Sequence, residues 1–221
     1  MTNSRRDFLK LVAKYSVGGV VFNSISLSSI AAMRGYVPPN EKINFGLIGA
    51  NGMGWADMRS ILKNSEANCI AICDVDANVL KKRAKDCKEI TGKKPKVYGD
   101  YRKLLENKDV DAVVIGTPDH WHCLNLVDSL QADKHAYCEK PIANSIEESF
   151  LMNDAVKKYN KIVQVGQWQR SGTQYKDALD FLWSGKLGDI RLVKVWAYQG
   201  WYGWVDDKPD TDAPKGVNYN M

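Results

Sequence analysis

From Ile43 onward, short unbroken apolar runs alternate with longer stretches whose apolar residues recur at helical spacing. The run at 43–48, which opens into glycine-rich sequence, predicts a strand. A helix is expected over 55–63, a second strand over 67–73 and a charged helix over 77–90, where Val79, Leu80, Ala84 and Cys87 share one face. A brief strand at 96–98 precedes a short helix with Asp100 as its N-cap. The β-branched run at 111–116 predicts a fully buried strand. A helix over 120–132, a strand over 134–139, a helix over 145–159 and a strand over 162–165 complete the series. The helix at 145 opens with Ser145 and Glu148 at capping-box spacing. Parallel strands joined by helices of this length require right-handed crossovers, so the expected architecture is a doubly wound parallel α/β sheet over 43–166, covered on both faces.

After Gly166 the pattern changes. A helix is expected over 173–183, with Gly185 suited to the left-handed position beyond it. Rough alternation over 190–201 predicts a long strand that would begin a second sheet, and the polar stretch 206–220 reads as loop. Residues 167–221 are therefore expected to be the start of an incomplete second, α+β domain.

The first 42 residues do not belong to this alternation. Ser4-Arg5-Arg6-Asp7-Phe8-Leu9-Lys10 is a twin-arginine pattern, followed by a modest apolar stretch over 11–30 and small residues at Ala31 and Ala32. A signal peptide over 1–32 and a stiff linker over 33–42 containing Pro38-Pro39 are expected, which implies a periplasmic protein. The alternative is a basic amphipathic N-terminal helix of a cytoplasmic one. The apolar runs fall far short of the ~18 residues a membrane span needs, so no stable membrane insertion is expected.

Composition narrows the function classes. Of the formal net charge of +5, the leader's Arg5, Arg6, Lys10, Lys14 and Asp7 contribute three, and the nearly balanced remainder argues against nucleic acid as a partner. With 44% hydrophobic residues the chain can bury a sizeable core. Its five cysteines form no C-x-x-C pair and read as small buried apolar residues rather than a disulfide framework.

Candidate chemistry sits where predicted strands end. Gly49-Ala50-Asn51-Gly52-Met53-Gly54 follows the first strand and approximates G-x-G-x-x-G, with Asn51 in place of the second glycine. Backbone amides at a helix N-terminus suit a pyrophosphate. Asn tolerates positive φ better than other non-glycine residues, and Gly52 adds freedom beside it. Asp74, at the end of the second strand, can accept hydrogen bonds from both adenosine ribose hydroxyls. It would repel a 2′-phosphate, favouring NAD over NADP. Asp76 is its rival for that role, with a helix N-cap as its other reading. Thr117-Pro118-Asp119-His120-Trp121-His122 and Cys138-Glu139-Lys140-Pro141 occupy two further strand ends. The paired histidines suggest a metal, yet the chain holds just one more, His135, so none is expected. A partly desolvated Lys140 could hydrogen-bond a reacting hydroxyl or carbonyl oxygen; a surface lysine is the alternative.

Together these segments resemble the Gfo/Idh/MocA oxidoreductase family, of the glucose–fructose oxidoreductase and inositol dehydrogenase type. The resemblance rests on the glycine turn, C-D-V-D after the second strand, T-P-D-H-W-H after the fourth and, most specifically, E-K-P after the fifth. It implies a Rossmann domain followed by a mostly antiparallel sheet domain, a small sugar-like substrate, and homo-oligomers among full-length relatives. By the same match Lys140 contacts the substrate hydroxyl that loses hydride, Thr117, Pro118 and His120 line the nicotinamide half of the site, and Glu139 lies near its ribose. Gly49, Asn51, Gly52, Met53, Gly54 and Asp74 would hold the rest of the dinucleotide. Pro141 is expected to follow a cis peptide bond. Trp168 and Arg170 become substrate-facing residues, with interface packing as their other reading. The implied function is NAD-dependent hydride transfer with a carbohydrate or cyclitol hydroxyl. The alternatives are an inactive nucleotide-binding remnant, since relatives run well beyond 300 residues, and a redox-neutral enzyme that eliminates glycosides.

Overall fold

The computed structural model describes residues 41–197, 207 and 209–221. The expected leader at 1–32 lies outside them, as does the expected linker apart from its last two residues. The described fold runs from Ile43. Its elements are β1 (Ile43–Ile48), α1 (Gly52–Ile61), β2 (Ala67–Cys73), α2 (Ala77–Thr91), β3 (Lys96–Tyr98) and α3 (Tyr101–Leu105). Then follow β4 (Ala112–Ile115), a 3-10 turn (Asp119–Trp121), α4 (His122–Gln131), β5 (His135–Cys138), α5 (Ile146–Tyr159), β6 (Val163–Val165), a 3-10 turn (Trp168–Ser171) and α6 (Thr173–Trp183).

The six strands form one sheet in the order β3-β2-β1-β4-β5-β6, and every pair is parallel. This is the doubly wound Rossmann order, whose direction reverses between β1 and β4. Strand alternation divides the core between the two faces. Leu47, Ile72 and Val114 pack with Trp55 and Met58 of α1 and Cys87 of α2. Ile48, Ala71, Val113 and Ile115 pack on the other face with Leu104, Leu126, Leu130 and Met152. All five cysteines are free and buried within these layers, as their apolar surroundings predict.

Local signals set most boundaries. Asp76 and Asp100 cap α2 and α3 by accepting from the amides of Asn78 and Arg102. Ser145 Oγ accepts from Glu148 N at 3.2 Å, and the Glu148 carboxylate reaches back to Asn144 N at 2.7 Å. Helix α1 begins at Gly52, three residues before the expected start, because the glycine turn is itself the helix's first turn and carries no side-chain pattern. The helix expected over 120–132 is divided into the 3-10 turn and α4.

The strand expected at 190–201 does not form over 190–197; its last four residues lie outside the described ones. No strand lies beside it among the described residues, and an extended segment without a neighbour leaves its amides and carbonyls unpaired. Helix α6 forms over the expected span, and Gly185 beyond it has φ +75°. Leu192, Val195 and Trp196 are exposed.

Candidate functional site

The carboxyl ends of β1, β2, β4 and β5 lie side by side, and each carries one of the predicted segments. Gly49 leaves β1 at φ +80° and Gly52 enters α1 at φ +48°. Asn51 between them is extended, with φ −99° and ψ 173°, so the left-handed freedom expected of it falls on its glycine neighbours instead. Its side chain has another use: Oδ1 accepts from Arg83 Nη2 at 3.2 Å, while Arg83 Nε donates to Ala50 O at 3.2 Å. The guanidinium also lies over the Trp55 ring, 5.2 Å from its centroid. Arg83 thus fastens the turn to α2 from behind.

Close packing explains the outer glycines. A Cβ on Gly54 would lie 2.1 Å from Gly49 O, and one on Gly116 2.4 Å from Gly54 Cα. The turn, the first helical residues and the end of β4 therefore touch through bare backbone. Asn51 makes no side-chain cap to α1, which leaves the first amides of that helix free of an internal side-chain acceptor. A backbone cradle at a helix N-terminus suits a pyrophosphate.

Asp74 leaves β2 beside this cradle. Its Oδ2 accepts from Ala50 N at 2.8 Å and its Oδ1 from Asp76 N at 3.0 Å. The carboxylate is thereby fixed between the turn and the following loop, with lone pairs left for ribose hydroxyls. Its rival Asp76 is engaged as the α2 cap, accepting from Asn78 N at 2.7 Å. Thr117 and Pro118 line a cavity that Asp74 also lines. Tyr101 is another wall; its hydroxyl donates to Asp128 at 2.6 Å and its ring meets Trp121 edge-on. Burial and then the Asp128 carboxylate push the Tyr101 phenol up, so it stays a neutral donor.

Lys140 and Glu139 follow β5. Glu139 is 3% exposed, and its Oε1 accepts from Tyr137 at 3.3 Å and its Oε2 from Lys140 N at 3.1 Å. Gly166, at the end of β6, packs directly on this carboxylate. The Lys140–Pro141 peptide is cis, as the resemblance implies. Lys140 is exposed, and no hydrogen bond or ion pair engages its ammonium among the described residues. Trp168 and Arg170 are exposed on the 3-10 turn after Gly166, and His120 is exposed on the turn after Pro118. Met53 is an exposed residue of the first α1 turn.

Three further residues shape the site without having been singled out for it. His122 is 1% exposed, with Nδ1 2.6 Å from Pro141 O and Nε2 2.8 Å from Thr117 O. It ties the loop after β4 to the loop carrying Lys140. No spacing rule connects residue 122 with residue 141, and the sequence showed it merely as one of two neighbouring histidines. Arg83 was legible as a charge on α2 and nothing more. Asp57, on α1, faces Glu139; burial first and the Glu139 charge second push its carboxyl up to about 7. Its Oδ2 is buried without a hydrogen-bond partner. A proton there would convert two facing acceptors into a donor–acceptor pair. Among the described residues no group of three or more His, Cys, Asp or Glu side chains could hold a metal ion, and no helix is long and apolar enough to cross a membrane.

Comparison with known proteins agrees with this geometry. The model of the oxidoreductase family with an NAD-binding Rossmann fold matches residues 43–167. Glycosyl hydrolase family 109 protein 1 of Shewanella sp. (strain ANA-3) is 27% identical over 201 residues, covering 84% of this chain and 44% of that protein. The oxidoreductase YrbE of Bacillus subtilis (strain 168) is 30% identical over 155 residues, covering 70% and 44%. The chain thus spans less than half the length of these relatives. Scyllo-inositol dehydrogenase from Lactobacillus casei, solved with NAD(H) and scyllo-inositol, superposes with a TM-score of 0.61 at 26% identity over 67% of this chain and 43% of that one. The WlbA dehydrogenase of Bordetella pertussis, at 23% identity, shares the fold with a TM-score of 0.60 over 69% and 42%. The glycine cradle, the fixed Asp74 carboxylate and the E-K-P loop lie on a sheet of the matching order, and the chain belongs to the Gfo/Idh/MocA family of NAD-binding oxidoreductases.

Proposed function

We propose that the protein is an NAD-dependent oxidoreductase acting on a hydroxyl of a carbohydrate or cyclitol. The observation that carries this is the position of Lys140: an exposed ammonium on the loop after β5, its backbone held by buried Glu139, at the same sheet edge as the glycine cradle and Asp74. Gly49 to Gly54 would hold the pyrophosphate and Asp74 the adenosine ribose. When bound, the nicotinamide supplies a two-electron hydride acceptor for the carbinol carbon. Lys140 Nζ holds the reacting oxygen and relays its proton, giving one N–H proton to water and taking the hydroxyl proton in its place, so that one hydride and one proton leave and a carbonyl remains. His122 and Glu139 position the Lys140 loop. Asp74, facing a 2′-phosphate, would disfavour NADP.

The test follows NADH absorbance over a panel of aldoses, amino sugars and inositols. Turnover of at least one polyol is expected, with Lys140→Ala slowing it about 10²–10⁴-fold while NAD still binds. Lys140→Ala turning over at the parental rate would overturn the role of that residue, and NAD binding without hydride transfer to any panel member would overturn the reaction.

A second reading is redox-neutral glycoside elimination with a retained cofactor, favoured by the resemblance to glycosyl hydrolase family 109 proteins. Release of an aglycone with no net NADH would establish it in place of the dehydrogenase. The proposal extends to location. The twin-arginine pattern at residues 4–10 would direct the chain to the periplasm, and a double Arg5→Lys, Arg6→Lys variant should remain in the cytoplasmic fraction.

A further inference from the structure

The polar stretch read from sequence as loop comes back to the Rossmann sheet. Ala77 N donates to Gly216 O at 2.9 Å and Asn218 N to Val75 O at 2.9 Å, bracketing an antiparallel bridge between Asp76 and Val217. Asn78 Nδ2 adds a bond to Lys215 O at 3.3 Å. The segment turns through Gly216, whose φ of +94° lies in the left-handed region and whose added Cβ would sit 3.0 Å from Asn78 Nδ2. Val217 N closes that turn on Pro214 O at 3.1 Å. A side chain, above all a β-branched one, is strained there.

These contacts fall on Val75 to Asn78, directly after the carboxylate assigned to the ribose. Beyond them Met221 packs against the core cluster of the α3/α4 face. It lines, with Asp74, Val75, Tyr101, Pro118 and Trp121, a cavity of about 140 Å³. That volume is well below the roughly 300–1,000 Å³ that encloses a whole drug-sized ligand, so it fits one ring system rather than a dinucleotide. Its walls are mainly apolar and aromatic; the polar side chains on it are the Asp74 carboxylate and Thr117 and Asn125, which bond each other at 3.0 Å. A flat purine attached to a ribose held by Asp74 matches that combination, and a thioether is a favourable neighbour for a π-system.

We infer that residues 214–221 form a strap that is the outer wall of the adenosine subsite, with Gly216 setting the strap's turn and Met221 closing the purine slot. The inference rests on the reading of the site as an NAD site and adds to it a wall drawn from a distant part of the chain. Docking of the strap and binding of the adenosine half are then coupled, because the loop that presents Asp74 is also the strap's docking edge.

The test is calorimetric titration of the 221-residue chain with NAD and with AMP, which carries the adenosine half alone. Three variants are compared: Gly216→Val, Met221→Ala and, as a control outside the strap and the site, Leu192→Ser, at a residue 73% exposed. NAD and AMP should each bind about tenfold more weakly to the first two variants and equally well to the third. Met221→Ala guards against a general folding defect in Gly216→Val, since it leaves the strap's backbone bonds in place. Parental affinity in both variants would overturn the inference. So would tighter binding, which would make Met221 a plug in the slot rather than its wall. A parental chain that bound neither ligand would instead refute the NAD reading, and the strap's role with it.

Discussion

Removing the His122 imidazole should cost more stability than any other single change at the site. The ring is 1% exposed and lies within 2.6 Å of Pro141 O and 2.8 Å of Thr117 O. His122→Ala leaves both carbonyls facing a small cavity. A neutral imidazole donates to only one of the two carbonyls; a buried polar group that loses its donor costs about 1–3 kcal/mol, and the volume emptied by the ring adds a cavity cost, placing the loss at about 2–5 kcal/mol. That is a large part of the roughly 5–15 kcal/mol that holds a domain folded. Urea unfolding at fixed pH measures it: the midpoint should fall with the slope unchanged. His122→Asn, able to reach one carbonyl at most, should fall between the parent and Ala. Because the same ring ties the Lys140 loop to the Thr117 loop, the variants should also lose turnover beyond what their folded fraction explains. A loss below about 1 kcal/mol for His122→Ala, within the net range of one ordinary hydrogen bond, would refute the view that this histidine clamps the two loops.

Further expectations concern the carboxylates and glycines. Asp57 has a folded-state value of about 7 against an ordinary 3.8, so the folded protein binds the extra proton. Its contribution to stability is therefore present at low pH and is lost as pH rises from about 4 through 7. Urea midpoints should fall across that window, and Asp57→Asn should flatten the fall; an unchanged slope in the variant would contradict the pairing with Glu139. Gly54→Ala, whose Cβ would sit 2.1 Å from Gly49 O, should destabilise the fold by about 1–3 kcal/mol and abolish NAD binding in calorimetry. Binding at parental strength would show that the cradle does not depend on this contact. Asp74→Ala should weaken NAD binding and narrow its advantage over NADP, measured as the ratio of the two dissociation constants. A ratio unchanged by the substitution would remove Asp74 from the ribose.

The sheet was legible because strand and helix periods alternate cleanly after Ile43, and because capping residues such as Asp76, Asp100 and Ser145 act within three residues of themselves. The site was legible to the extent that its parts are consecutive: the glycine turn, and Glu139-Lys140-Pro141. What escaped were the contacts that join distant segments. His122 reaches residue 141, Arg83 reaches residue 51, Asp57 faces residue 139, and Gly216 pairs with residue 77. Such pairings are set by how the sheet orders its strands, which a local pattern does not encode. The role expected of Asn51 failed for a related reason. Positive φ went to its neighbours, and its amide was recruited by a guanidinium 32 residues away. The strand expected over 190–201 does not form over its described residues 190–197 because alternation shows that a segment could line a sheet but supplies no partner strand.

The central claim is that the glycine cradle and Asp74 hold NAD. A thermal melt of the chain with and without the dinucleotide tests it directly, since a ligand that binds only the folded state must stabilise it. At a hundredfold excess over the dissociation constant the gain is about 2.7 kcal/mol, which for a chain of this size raises the melting temperature by about 5–10 °C. A cooperative transition is expected that rises by that amount with NAD and by less with the same concentration of NADP. A transition indifferent to NAD would contradict the claim.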